Sequence, residues 1–348
     1  MLRKLLVVLT LLTCSLFYQA HAATSPGATS STRSSTDATW KRRQALFSHN
    51  RQTPLNARLI SRQDTTISVI ERYTISGAKG DTVPLLFVMP KVPAKTRVPL
   101  VVLAHGFLGN VDQMLFFAQI CAKNGYACVI PEIVAHGARQ QNGQNLFGGD
   151  LDFLHDGIVE TVGDFRRAID FAITRPRVDA RRIGFVGISL GAILGTMTTA
   201  LDSRIQVFAS VVGGGDWKLI VPAPIRAIAE RDARENRGGQ LVRKYRNLLE
   251  DVDPKNYASR LAPRPFLMLN GRRDNIIPPA AARVLFNAAR RPKSQKWYDA
   301  GHFLPPLEVA NLVQKWLDNN LKNRRNSSRS ATSSTRSSAQ SSISVAAR

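Results

Sequence analysis

Apolar residues follow two alternating rhythms along this chain. Short, largely apolar runs stand at Val98-Pro-Leu-Val-Val-Leu-Ala104, Ala127-Cys-Val-Ile130, Arg182 to Gly187, Val207 to Val212 and Pro265 to Leu269, and the shorter Gln295-Lys-Trp-Tyr298 belongs with them. Runs this short and this apolar, bounded by polar or turn-forming residues, read as buried strands. Between most of them the spacing changes to that of a helix, with Ile158, Val162, Phe165, Ile169 and Ala172 on one face and Val309, Leu312, Val313, Trp316 and Leu317 on another. Ala192 to Leu201 also reads as a helix. Strands alternating with helices predict an α/β fold, a mostly parallel central sheet with helices on both faces. Ahead of them, Thr65 to Ile75 and Val83 to Met89 read as a strand pair turning across Gly77, Gly80 and Asp81. Ligands of such sheets bind at the carboxyl ends of the strands, so the polar residues there carry the functional question.

One segment breaks the alternation. Residues Trp217 to Asp253 read as two helices, with Pro222 and Pro224 before the first, Gly238-Gly239 between them, and Leu241, Tyr245 and Leu248 spaced along the second. The segment is expected to be a helical cap over the site; two surface helices with a solvated charged face are the alternative.

The ends of the chain belong to neither rhythm. Met1-Leu-Arg-Lys4, an apolar run to about Phe17 and Ala20-His-Ala22 have the form of a secretory signal cleaved after Ala22, too short to span a bilayer. The cysteine in Leu11-Leu-Thr-Cys14 follows a bulky residue, which disfavours a lipoprotein anchor, so a secreted or periplasmic location is expected. Residues 23–40 are rich in Ser, Thr and Ala and read as a disordered linker, 41–322 as the folded domain, and 323–348 as a disordered basic tail rich in Ser. The formal charge is +23, or +21 once Arg3 and Lys4 leave with the signal. That excess suits weak association of the tails with anionic envelope surfaces, and no nucleic-acid motif accompanies it. Cys121 falls on the apolar face of a helix and Cys128 in the following strand; both are expected to be core thiols, with a disulfide as the alternative.

Chemistry concentrates at Gly187-Ile-Ser-Leu-Gly191. A serine on a sharp strand-to-helix turn needs flanking residues without bulk, and glycines stand two positions either side of Ser189. A serine hydroxyl also needs a base, and the base a carboxylate that fixes its tautomer. Of the histidines after the leader, His302 has the best setting, in a loop after the last strand and preceded by Gly301. His49 lies in a basic segment and His155 ahead of a helix, and both read as surface or packing residues. His136 reads as a structural loop residue that could also touch substrate. Asp274 leaves the strand beside that of His302 and is the expected carboxylate, with Asp299 and Asp216 as rivals. The backbone N–H groups of Leu190 and of Phe107, in Leu103-Ala-His-Gly-Phe-Leu-Gly109, are the expected oxyanion donors, and His105 reads as a residue that stabilises this loop.

With His105-Gly-Phe, Gly187-Ile-Ser-Leu-Gly, Gly271-Arg-Arg-Asp-Asn-Ile-Ile-Pro and Gly301-His302 in this order, the chain from about Ser68 to Asn320 resembles the α/β-hydrolase superfamily. Within it the similarity is to dienelactone hydrolase-like esterases and to the catalytic domains of prolyl-oligopeptidase-like enzymes. The resemblance implies Ser189 as nucleophile, His302 as base and Asp274 as orienting acid. Dienelactone hydrolases use a cysteine where this chain has Ser189, which argues against dienelactone as substrate. The oligopeptidases carry an N-terminal propeller for which the segment before Ser68 has no room, which argues against a peptidase. The expectation is an exported serine hydrolase that cleaves a small-molecule carboxylic ester without metal or cofactor. Amide or lactone cleavage on the same residues is the nearer alternative, and a non-catalytic polyanion-binding protein on this fold the more distant one.

Overall fold

A computed structural model of the chain describes residues 28–141, 143–148, 150–220 and 247–322. The expected signal, the basic tail and most of the Trp217 to Asp253 insert lie outside the described residues. The chain divides into two compact units, 1–42 and 43–348. Most of helix α1, Ala28–Leu46, belongs to the first. The sequence predicts a linker over 23–40, and the difference has a local reason. Pro26-Gly27 stands just before the helix, and no Gly or Pro interrupts it up to Leu46.

The second unit is built on one nine-stranded sheet in the order β1-β2-β3-β5-β4-β6-β7-β8-β9. Strands β1 (Arg58–Asp64), β2 (Ser68–Ser76) and β3 (Thr82–Pro90) run antiparallel, and β3 also joins β5 (Ala127–Pro131) antiparallel. From β5 onward every pairing is parallel, through β4 (Val98–Ala104), β6 (Val178–Ile188), β7 (Ile205–Val211), β8 (Phe266–Gly271) and β9 (Lys293–Tyr298). The sheet is thus mostly parallel, as the continuous apolar runs require. Strand β1 has no counterpart in the sequence pattern because all of its residues are exposed. Backbone pairing to β2 holds it, reinforced where Arg62 donates to Glu71 at 2.9 Å across the register.

Helix α3, Leu151–Ile173, buries Ile158, Val162, Phe165, Ile169 and Ala172 completely. Asp150 caps it by accepting from the Phe153 N–H at 3.0 Å. It packs beside α4, Leu190–Leu201. Helix α2, Leu115–Lys123, shares a separate core cluster with the C-terminal helix, which joins Leu103, Cys121, Cys128, Val186, Val313 and Leu317. Cys121 and Cys128 are buried free thiols in it. Three short elements complete the frame used below: α5 (Trp217–Ile220), α6 (Lys255–Ala258) and α7 (Pro279–Ala288), followed by the C-terminal helix α8 (Pro306–Leu317).

Candidate active site

Strand β6 ends at Ile188 and α4 begins at Leu190, leaving Ser189 alone between them. Its backbone sits at φ 54° and ψ −115°, a region that costs a residue with a Cβ about 1–3 kcal/mol. Hydrogen bonds hold it there. The Ser189 N–H donates to Val211 O at 2.8 Å, and its carbonyl accepts from the Ala192 N–H at 2.9 Å. The flanking glycines are required by contact: a Cβ on Gly187 would lie 2.2 Å from the Gly191 carbonyl oxygen, and one on Gly191 would lie 2.4 Å from that of Ala104.

His302 lies in the loop between β9 and α8, and its ring spans two partners. Its Nε2 is 2.9 Å from Ser189 Oγ and its Nδ1 is 2.8 Å from Asp274 Oδ2. The other Asp274 oxygen accepts from the N–H groups of Ile276 and Ile277, each at 2.9 Å. A carboxylate only accepts, so the proton resides on Nδ1 and Nε2 is left to accept from the serine hydroxyl. Ser189 and Asp274 are both buried. The two loops are laced together, Arg272 N–H to Tyr298 O at 2.8 Å and Arg273 N–H to Ala300 O at 2.9 Å. A Cβ on Gly271 would come within 2.1 Å of the Gly301 carbonyl oxygen, so this glycine permits the approach of the loops that bring Asp274 to His302. The rival carboxylates face elsewhere, Asp299 to Arg273 and Asp216 to Lys255.

The loop after β4 passes over the same serine. A Cβ on Gly106 would lie 3.4 Å from Ser189 Cβ, and the loop turns back where the Gly109 N–H donates to Gly106 O at 3.0 Å. Phe107 follows Gly106 in this turn. Leu190 opens α4, and a first-turn N–H has no carbonyl within its own helix to bind. His105 braces the loop from below: Nδ1–H donates to Gly106 O at 2.9 Å, and Nε2 lies 2.9 Å from Glu132 Oε1, with both side chains buried. Sequence reasoning misses Glu132, a lone carboxylate after an apolar strand. Its signal is its place at the end of β5, next to β4 in the sheet.

The remaining histidines sort by packing. His136 is buried, its Nδ1 lies 2.8 Å from Val134 O, its ring meets Phe107 edge to face, and burial lowers its affinity for a proton. His49 is buried beside Asp170 at 3.6 Å. His155 lies inside α3 rather than ahead of it, because the helix starts at Leu151 behind the Asp150 cap, and its Nδ1 is 2.9 Å from Asp156. Three carboxylates, Asp81, Glu160 and Asp164, have oxygens close enough together to suggest a cation. Arg139 already reaches all three, at 2.5, 2.6 and 2.7 Å respectively, so a guanidinium holds the position a metal would need. Burial pushes the Asp164 carboxyl up to about 6 against the pull of Arg139.

Residues 86–233 match the model of the dienelactone hydrolase family, and residues 162–307 that of the BAAT / acyl-CoA thioester hydrolase C-terminal family. An acetyl xylan esterase from Paenibacillus sp. R4 superposes with a TM-score of 0.68 at 23% identity, over 82% of this chain and 94% of that one. Acetyl xylan esterase 1 from Thermoanaerobacterium sp. JW/SL YS485 gives 0.66 at 21% identity, over 81% and 93%. The fold is that of the α/β hydrolases. In sequence, the chain is 28% identical over 235 residues to "Putative esterase YitV" of Bacillus subtilis (strain 168), covering 65% of this chain and 86% of that protein.

The α/β-hydrolase fold accounts for the placement of the site. Ser189 follows β6, with β4 and its His105-Gly106-Phe107 turn on one side and β7 on the other. Asp274 and His302 leave β8 and β9, the next two strands. The fold also shows where the insert departs. Asp253 accepts from the N–H groups of Asp216 and Trp217, at 3.0 and 3.1 Å, so the segment leaves and returns at one carboxylate. Trp217 is buried there and donates its Nε1–H to Val252 O at 3.0 Å. Its ring lies 6.3 Å from that of Phe147, which lies 5.0 Å from that of Phe107. An aromatic path therefore joins the foot of the insert to the loop beside Ser189.

Proposed function

We propose that this protein is a serine hydrolase of carboxylic esters. The observation that carries the reading is the His302 ring between Ser189 Oγ at 2.9 Å and Asp274 Oδ2 at 2.8 Å. Ser189 attacks the ester carbonyl while His302 takes its proton, and Asp274 stabilises the imidazolium. The Phe107 and Leu190 N–H groups receive the oxyanion. His302 then protonates the departing alcohol; water admitted in its place attacks the acyl-serine and loses a proton to His302, which passes it to Ser189 Oγ as the acid is released. Each step uses protons already on serine, imidazole, alcohol and water, so no cofactor is called for. The word esterase in the names of the Bacillus relative and of the two superposed proteins supports an ester as substrate. The leader sequence supports export, and the aromatic path from Trp217 to Phe107 supports a cap role for the insert.

Ser189→Ala is expected to lower turnover of an activated short-chain ester by about six orders of magnitude and to abolish labelling by a fluorophosphonate. Unchanged turnover in this variant would remove the proposal, and N-terminal sequencing of the mature protein from the cell envelope tests export.

A further inference from the structure

The described residues expose eight large apolar side chains, and five of them lie at the end of the sheet that carries Ser189. Leu108 follows Phe107 in the loop after β4, Ile276 lies two residues beyond Asp274 after β8, and Phe303 follows His302 after β9. Phe116 and Leu307 stand in the first turns of α2 and α8. These helices leave the same end of the sheet, because every pairing from β4 through β6, β7 and β8 to β9 is parallel. They also share one core cluster, so both first turns stand on the same face. The other three, Leu59, Ile60 and Ile67, lie on or beside the edge strand β1. Apolar side chains gathered at a functional end of a molecule mark a surface that water does not cover in use.

Shape and charge select what covers it. Phe303 is 87% exposed and Leu108 73%, so these side chains project from the surface rather than line a hollow. The run Phe303-Leu-Pro-Pro-Leu307 has no polar side chain, and Pro305 and Pro306 have no N–H to offer. A protein partner makes about one hydrogen bond for each 100–200 Å² it covers, and these side chains supply none. A hydrocarbon layer asks for none. The acids nearest in sequence are already engaged, Asp112 with Arg72, Asp299 with Arg273, and Glu308 with Lys296 at 2.6 Å. Arg272 is exposed before Asp274, and no acid pairs with it among the described residues. With a formal charge of +23 on the chain, an anionic surface attracts this face.

We propose that this apolar rim docks on an anionic lipid surface and turns the mouth of the site towards it, so that the esters hydrolysed are those the surface presents. Phe303, Leu108 and Leu307 enter the boundary between headgroups and acyl chains, while Arg272 stays among the headgroups. Presentation of an ester rests on the esterase reading; docking does not, and the two are measured separately. The full chain is mixed with vesicles of phosphatidylcholine alone or with phosphatidylglycerol, and is assayed on dissolved p-nitrophenyl acetate and on tributyrin below and above its solubility limit. The protein should bind the mixed vesicles more tightly than the neutral ones, and its rate on tributyrin should step up at the solubility limit. The double variant Phe116→Ser, Leu307→Ser should bind the mixed vesicles about tenfold more weakly at the same salt and lose the step, with its rate on dissolved ester unchanged. If circular dichroism shows that it does not fold, Leu307→Ser alone carries the comparison, with binding about threefold weaker. Equal vesicle binding by variant and wild type would overturn the docking, and a wild-type rate with no step would overturn the orientation of the site. A wild-type dimer that the double substitution dissociates, with vesicle binding unchanged, would assign the rim to a second copy instead. Failure on the dissolved ester would count against the esterase reading and leave vesicle binding to judge the surface.

Discussion

Asp274 uses both oxygens, one on His302 Nδ1 and the other on two backbone N–H groups. In Asp274→Asn the amide oxygen can keep the backbone contacts, which turns the NH2 group towards His302. The imidazole must then accept at Nδ1 and carry its proton on Nε2, where it cannot take one from Ser189. The variant should lose roughly four orders of magnitude in kcat with little change in KM, as a steady-state comparison would show. Asp164 answers to pH in another way. Burial raises its carboxyl to about 6, so the folded chain binds a proton that the unfolded chain has released. The sign follows: between about pH 4 and 6 the native state holds more protons, and this carboxyl's contribution to stability falls as pH rises through that window, by up to about 3 kcal/mol. Urea unfolding of wild type and Asp164→Asn across the window should show a steeper loss in the wild type; parallel profiles would contradict the shift.

Elements were legible in proportion to how much of each they bury. Strand β4 and the second half of β6, from Ile183, are apolar and stand where the apolar runs predict them; β6 begins earlier, at Val178, through the charged Asp179, Arg181 and Arg182, and β1 is exposed from end to end and left no apolar signature. The candidate site was legible for a related reason: Ser189 and Asp274 each follow a strand whose end is largely buried, and His302 follows Tyr298, the one buried residue of β9. Glu132 and Phe147 were not, because their significance arises from packing against His105 and Phe107, which spacing does not reveal. At the turn between β6 and α4, function and stability pull apart. Ser189 holds φ at 54° with a Cβ present, which only glycine adopts without strain. Ser189→Gly should therefore be more stable than Ser189→Ala by about 1 kcal/mol, although both lack the hydroxyl. Equal midpoints in chemical denaturation would show that the turn stores no such strain.

Over the whole molecule, charge and connectivity set what the sheet alone does not. The formal charge is +23, and truncation after Lys322 removes five arginines and no acid. Truncation should weaken binding to vesicles containing anionic lipid in low salt, with each arginine near the surface contributing about 1 kcal/mol. Equal binding by the two forms would leave the tail without that role. Connectivity matters more for the chemistry. Thirty-seven positions separate Asp216 from Asp253, yet one carboxylate ties the N–H of the first to the second. The chain between them is a closed ring as far as the sheet is concerned, since loop-closure entropy changes only slowly with the length spanned. Segments of other lengths and sequences could be grafted between these two residues while β7, β8 and the serine keep their places. Asp253 is thus a socket that fixes both ends of the segment, whatever chain is fitted between them.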